Sequence, residues 1–287
     1  MPEPRAQQVR VDLPATRRRI TRLHRYVESN LLSEGQFICP HFQQCRKSRR
    51  PGDAFREGIM SHVGRRFDLT LGGKPLRIVV VGQESGLPKG PSASTFGRRV
   101  TMETRYRQTL SGAGLERRYY AQDGYPGRNP HMRGTTTALR LLLGTGLGTD
   151  YDGEFVRPIK GRPFHLFDGF ALVNRLLCSA GPPGGSQGRP TSTMAQNCDI
   201  HFAATLSILE PTIVILQGAK VAKWAAGVLL RHDNRPTTCI RPSTMVAASS
   251  SAASPTLPLT APSDGEIDRM LPTSRRWSPQ RCRPRSN

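Results

Sequence analysis

The chain has 287 residues, 42 of them Lys or Arg against 21 Asp or Glu, giving a formal charge of +21 and a pI of about 11. That length buries a full core, and the Arg-rich excess of cations calls for a polyanionic partner, with an acidic membrane surface as the competitor. No membrane-spanning helix is expected, because no run of 18 apolar residues exists, and Met1-Pro-Glu-Pro-Arg5 lacks the apolar core of a secretory leader. The expected setting is the reducing cytoplasm, where grouped cysteines read as metal ligands before disulfides.

In chain order, Ile20, Leu23, Val27 and Leu31 recur at helical spacing and predict a helix over 14–32. Arg17, Arg18, Arg19, Arg22 and Arg25 decorate the remainder, either as a solvated basic face or as a surface lying along a nucleic-acid backbone. Residues 46–75 read as loop and short helix. Leu76 to Val81 is a β-branched run ending in Gly82, the pattern of a buried parallel strand followed by a functional loop. Residues 87–135 are rich in Gly, Arg and Pro with weak periodicity, which predicts a long, partly ordered insertion. A helix is predicted over 135–143, and a strand over 164–172 that delivers Asn174 at its carboxyl end. A helix over 194–209, a strand over 212–216 and a helix over 219–230 follow. This alternation predicts an open, mostly parallel α/β sheet.

Periodicity is lost from about residue 232. Residues 243–263 are rich in Ser, Ala, Thr and Pro, and 271–287 are basic and Pro-punctuated, the composition of a disordered tail. The expected organisation is a basic N-terminal helix (1–36), an α/β domain (37–231) with an insertion at about 100–130, and a low-complexity basic tail (232–287).

Two cysteines upstream, Cys39 and Cys45, and two flanking a Gly/Pro-rich loop, Cys178 and Cys198, form a candidate tetrathiolate. Four thiolates suit zinc or an iron–sulfur cluster. The spacings lack the paired C-x2-C knuckles of structural zinc, which favours the cluster. Cys239 and Cys282 fall in the aperiodic tail and are left out of the set.

The order Asn174-x3-Cys178, Arg189-Pro190, Cys198, helix, Pro211-x-Ile-Val-Ile-Leu-Gln-Gly218 resembles the core of the uracil-DNA glycosylase superfamily, closest to its iron–sulfur branch, often called family four. The resemblance covers roughly residues 37–100 and 135–230. It implies a three-layer α/β/α domain with a four-stranded, mostly parallel sheet, and a [4Fe–4S] cluster held by Cys39, Cys45, Cys178 and Cys198, with zinc as the alternative. It implies a monomer that removes uracil, or a related deaminated base, from DNA by hydrolysis of the N-glycosidic bond in base excision repair. The alternative is a non-catalytic iron–sulfur nucleic-acid-binding protein on the same fold.

Gly82-Gln83-Glu84-Ser85-Gly86 resembles the family's first motif, Gly-Glu-Ala-Pro-Gly after an apolar strand. Gln83 replaces the family's Glu. Glu84 stands where the best-known branch, with Gly-Gln-Asp-Pro-Tyr, has its water-positioning Asp. A carboxylate there stabilises an oxocarbenium-like sugar and orients the attacking water. Gly86 replaces the Tyr that blocks a thymine methyl, so discrimination by that device is not expected. Asn174 would accept from uracil N3–H and donate to O4, a pattern that cytosine inverts at both atoms. Phe96, ten residues after Gly86, corresponds to the family's base-stacking Phe. His131 is a second candidate for the pocket, whereas His165 and His201 are expected to pack in or beside the sheet.

The superfamily closes its site with a His-Pro-Ser motif, whose His stabilises the departing uracil anion. No His-Pro-Ser occurs here, and no His follows His232. Pro255-Thr256-Leu257-Pro258, encoded CCC-ACC-CTT-CCG, reads CAC-CCT-TCC from its third base, which is His-Pro-Ser. The expectation is a tail out of frame and a weak or dead enzyme as written.

Overall fold

The structure, a computed structural model, describes residues 8–82, 101–111, 130–183 and 188–224, with the backbone of 238–240. The chain is mixed α/β. At its centre lies a five-stranded sheet, whose strands are numbered here in chain order: β1 (His62–Val63), β2 (Ile78–Gly82), β3 (Phe170–Asn174), β4 (Ile213–Leu216) and β5 (Thr238–Ile240). The spatial order is β5-β4-β2-β3-β1. Each neighbouring pair from β5 to β3 is parallel, and β1 runs antiparallel to β3 at the edge. Among the described residues, the other four sheets are small and antiparallel.

Ile78, Val79, Val80 and Val81 are all fully buried. Such a run is continuous rather than alternating because both faces of the strand are covered. Val79, Val81, Ala171, Val173, Val214 and Leu216 face a core built with helices α1 (Leu13–Asn30) and α5 (Ser192–Leu209). Ile78, Val80, Phe170, Leu172 and Ile215 face the opposite core, with Leu139 and Leu143 of α4 (Pro130–Leu143).

Helix α1 starts at Leu13 because the Asp12 carboxylate accepts from the Ala15 N–H at 2.8 Å and Pro14 fits the first turn. Leu23 and Val27 are buried, and Arg17, Arg18, Arg22 and Arg25 are exposed. Arg19 instead turns inward, pairing with Asp68 at 3.1 Å and donating to the Ile208 carbonyl at 2.7 Å.

Two segments depart from the sequence reading. Residues 46–75 hold the end of a short helix, α2 (Phe42–Lys47), but also Ala54–Arg56, β1 and a hairpin of Leu69–Leu71 with Lys74–Leu76. The hairpin turns on Gly72 and Gly73, with φ of 56° and 80°. Strands of two or three residues are too short to show a period of two. The strand predicted over 164–172 is broken: Phe164–His165 ends in a 3₁₀ turn, Leu166–Asp168, and β3 begins only at Phe170. The His165 Nδ1 accepts from the Phe167 N–H at 3.0 Å, and the Gly169 N–H closes the turn on the Leu166 carbonyl at 2.9 Å. Inside the predicted insertion stands a helix, α3 (Met102–Ser111).

His62 on β1 is wholly buried, stacked on Tyr106 with ring centroids 5.6 Å apart. Burial lowers its pKa to about 4. Its unfolded value is about 6.5, so between those values the unfolded chain binds the extra proton. Stability is therefore full above pH 6.5 and falls as pH drops toward 4, by about 3 kcal/mol from this group. Urea midpoints measured from pH 7 to pH 4.5 should show the fall, and His62→Gln should flatten it; an unchanged slope would refute the assignment.

Candidate functional site

The ends of β2, β3 and β4 bring Gly82, Asn174 and Gln217 side by side, since Asn174 pairs with Gly82 and the Gln217 N–H donates to the Val81 carbonyl at 2.9 Å. A methyl on Gly82 would stand 3.4 Å from Asn174 Oδ1 and 3.5 Å from Gln217 Oε1, so two amide oxygens border this glycine. Ligands of open parallel sheets bind at this end of the strands. Gln217 is fixed from behind: its Nε2 donates to Thr135 Oγ1 at 2.6 Å and to the His131 carbonyl at 3.1 Å. His131 thus reaches the site through its backbone, and its side chain is exposed.

Asn174 is 6% exposed, and its Nδ2 has no partner among the described residues. A buried amide donor left unmade costs about 1–3 kcal/mol, so such groups mark a place for a ligand or water acceptor. The next residue locks the turn. The Arg175 N–H donates to the Gly82 carbonyl at 2.8 Å, its guanidinium donates to the Ala195 carbonyl at 3.2 Å and pairs with Asp199, and it lies 5.7 Å from the Phe202 ring centroid. Arg105 of α3 is a half-buried cation; desolvation, then the Arg56 charge, lower its pKa to about 10.

The four predicted thiols lie in one hydrophobic core, near enough for their charges to act on one another. Cys39, Cys45, Cys178 and Cys198 are all buried and all free. Two packing contacts join the upstream pair to the downstream one: the Ile59 N–H donates to the Leu177 carbonyl at 2.8 Å, and the Ser48 and Thr191 hydroxyls share a hydrogen bond of 2.7 Å. Burial pushes the Cys198 thiol up to about 12, and burial with the charges of the other three raises Cys178 well above its usual value. Burial likewise raises Cys39 and Cys45. Donors already point at the sulfurs. The Leu177 N–H reaches Cys198 Sγ at 3.5 Å, Asn197 Nδ2 reaches Cys45 Sγ at 3.4 Å, and His201 Nε2 lies 3.9 Å from Cys39 Sγ. The Tyr26 hydroxyl holds the other nitrogen of His201 at 2.8 Å. Among the described residues, no three His, Cys, Asp or Glu side chains are arranged to hold a metal ion.

Of the predicted site residues, the structure brings Gly82 to Asn174 and gathers the four cysteines. Gln83, Glu84, Gly86 and Phe96, with the tail after 240, lie outside the described residues. His165 is buried against Glu154, with Nε2 2.9 Å from the carboxylate. His201 was expected only to pack, and it does so directly against a candidate ligand. Sequence reasoning also missed Gln217 and Arg175, although both stand inside the motifs that drew attention. Among the described residues, no helix is long and apolar enough to cross a membrane. No protein-family model and no curated protein matches the chain.

Proposed function

We propose that the chain is a uracil-DNA glycosylase-like protein that reads a deaminated base with Asn174 and excises it from DNA in base excision repair. The observation that carries this reading is the buried amide of Asn174, whose Nδ2 has no partner among the described residues, held at a strand end four residues before a buried thiol. A three-layer arrangement around a parallel four-strand core is the architecture that the reading requires, and the two cores on opposite faces of the sheet support it.

The donor chemistry of the four cysteines suits the iron–sulfur cluster of this reading. All four donors are sulfur, all are buried, and N–H groups face Cys198 and Cys45. Zinc remains the alternative occupant. In either case the group would fasten Cys39 and Cys45 to the turn that carries Asn174.

In the chemistry proposed, the flipped base enters over Gly82, where a side chain would intrude. Asn174 Oδ1 accepts from N3–H and Nδ2 donates to O4. The bond between sugar C1′ and base N1 breaks, the electron pair leaves with the base, and Glu84 orients the water that adds to C1′. Phe96 would stack on the extruded base. The missing His-Pro-Ser leaves the departing anion without the His that would stabilise it. This favours an inactive, DNA-binding form of the chain as written, and the non-catalytic iron–sulfur protein stays the second reading.

Recognition and chemistry separate in one experiment. Binding to an oligonucleotide carrying non-cleavable 2′-fluorodeoxyuridine should exceed binding to its cytosine counterpart. With the reading frame restored between codons of roughly 230 and 255, a uracil oligonucleotide should be cut after alkali. Glu84→Gln in that restored chain should slow excision by about 10²-fold or more without weakening binding. Equal binding to uracil and cytosine, or stop codons throughout the alternative frame, would refute the corresponding step.

A further inference from the structure

We propose that the exposed face of α1 and the groove beside it form a second binding site for a nucleic-acid backbone, at the end of the central sheet opposite Asn174. The groove has a volume of about 700 Å³ and is lined by Arg17 and Thr21 of α1, by Arg65 and Arg66 from the segment after β1, and by Tyr106 and Asp168. Its position follows from the register. The chain leaving β1 runs back along β3, with the Gly64 N–H on the Phe170 carbonyl and the Arg66 N–H on the Asp168 carbonyl, both at 2.9 Å. The groove thus lies at the amino end of β3 and Asn174 at its carboxyl end, roughly 13 Å apart at about 3.3 Å per residue.

The charge in this groove is predominantly positive. The Asp168 carboxylate is consumed within the protein, accepting from the Arg65 N–H at 2.7 Å, from the Tyr106 hydroxyl at 3.1 Å and from the Arg66 guanidinium. Arg65 lies 4.5 Å from the centroid of the Tyr106 ring and pairs with Glu103 at 3.2 Å, but that pair is exposed and a phosphate would replace it readily. Arg17 has no side-chain partner among the described residues.

The cations also continue beyond the groove. Arg18, Arg22 and Arg25 are exposed at i, i+4 and i+7 of α1, a ridge about 10 Å long at about 1.5 Å per residue. Glu210 is the carboxylate facing it, 3.6 Å from Arg22. A compact phosphate ligand would use the groove alone, whereas a strand with successive phosphates uses both groove and ridge. A lipid surface would need several exposed apolar side chains among the cations, and at the groove α1 offers two, Leu13, 41% exposed, and the half-buried Ile20. This site does not require the base-reading assignment of Asn174.

The test is fluorescence anisotropy of the full chain with a labelled, uracil-free single strand between 50 and 200 mM salt. Arg17→Ser/Arg18→Ser/Arg65→Ser should weaken binding at 50 mM by about tenfold or more and reduce the log–log salt slope by about 2, whereas the matching Lys triple should keep most of both. Asn174→Ala should leave this binding unchanged, so the two readings fail separately. The proposal is overturned if the Ser triple, with a native circular dichroism spectrum, binds with the parent's affinity and slope. Micromolar pyrophosphate displacing the strand would overturn it in favour of a compact ligand. Binding of the parent to phosphatidylserine vesicles as tight as to DNA, and lost in the triple, would overturn it in favour of a membrane.

Discussion

Protein purified without oxygen is expected to be brown, with a broad thiolate-to-iron band near roughly 400 nm, and Cys178→Ser is expected to bleach it and unfold it at a temperature lower by roughly 10 °C or more. The effect is large because the four sulfurs come from chain segments far apart. Cys39 and Cys45 sit around a six-residue helix, and Cys198 lies in an 18-residue helix joined to the sheet through the turn of Cys178. A bound centre ties these pieces together, and its binding free energy is then folding free energy. Without one, the four thiols pack as neutral groups in the core, and burial holds them in the protonated form that ligates poorly. Serine at 178 leaves three thiolates and a buried hydroxyl that binds iron poorly. A colourless protein that contains one zinc per chain, or a Cys178→Ser variant with the parent's spectrum and melting temperature, would defeat the cluster assignment.

His201 sharpens that chemistry. The Tyr26 hydroxyl lies 2.8 Å from Nδ1; when it donates there, the ring proton is on Nε2, the nitrogen 3.9 Å from Cys39 Sγ. An N–H turned toward a ligating sulfur is a feature that tunes such centres. Spacing alone could not reveal it, because Tyr26 and His201 are 175 residues apart and neither belongs to a motif.

What could be read in advance was whatever is periodic or chemically rare. The run Ile78-Val-Val-Val81, the apolar stripe of α1 and the four cysteines each stand out against their neighbours; the strand and the helix occur near their expected places, and the cysteines are buried. Short antiparallel pairings were invisible, since Ala54–Arg56 on Ser179–Gly181 is fixed by tertiary contact rather than by pattern. The break of the strand at residues 166–168 was equally hidden. Leu166 and Phe167 are as apolar as any strand residue, and only the hydrogen bond from the Phe167 N–H to His165 turns the chain. Arg175 was overlooked for another reason: a cation after a strand reads as solvent-facing, whereas here it is 4% exposed and bonded to α5. For the site, composition could supply an amide and a carboxylate. Gln217, at the neighbouring strand end, and Thr135, which fixes it, come from other elements and were not legible.

Asn174→Ala is expected to abolish the preference for uracil over cytosine and to cut excision in the frame-restored chain by at least about 10²-fold, the scale of losing one preorganised polar contact. Truncation removes both groups that distinguish the bases, the acceptor for N3–H and the donor for O4. A pocket that leaves buried polar atoms unpaired with the wrong base discriminates on the order of 10⁴-fold, and an alanine leaves neither base better paired than the other. The cost to stability should be small or even favourable, because Nδ2 is unsatisfied among the described residues and its removal relieves a buried donor. This combination distinguishes a recognition residue from a structural cap. A capping Asn would lose stability on truncation and leave base preference alone. The preference is measured with non-cleavable uracil and cytosine oligonucleotides, so it can be read even when the chain lacks the group that stabilises the departing base. Thermal unfolding of the same variant supplies the second axis. Lost stability with unchanged preference would return Asn174 to the role of a turn residue and leave the carboxyl end of the sheet without its reader.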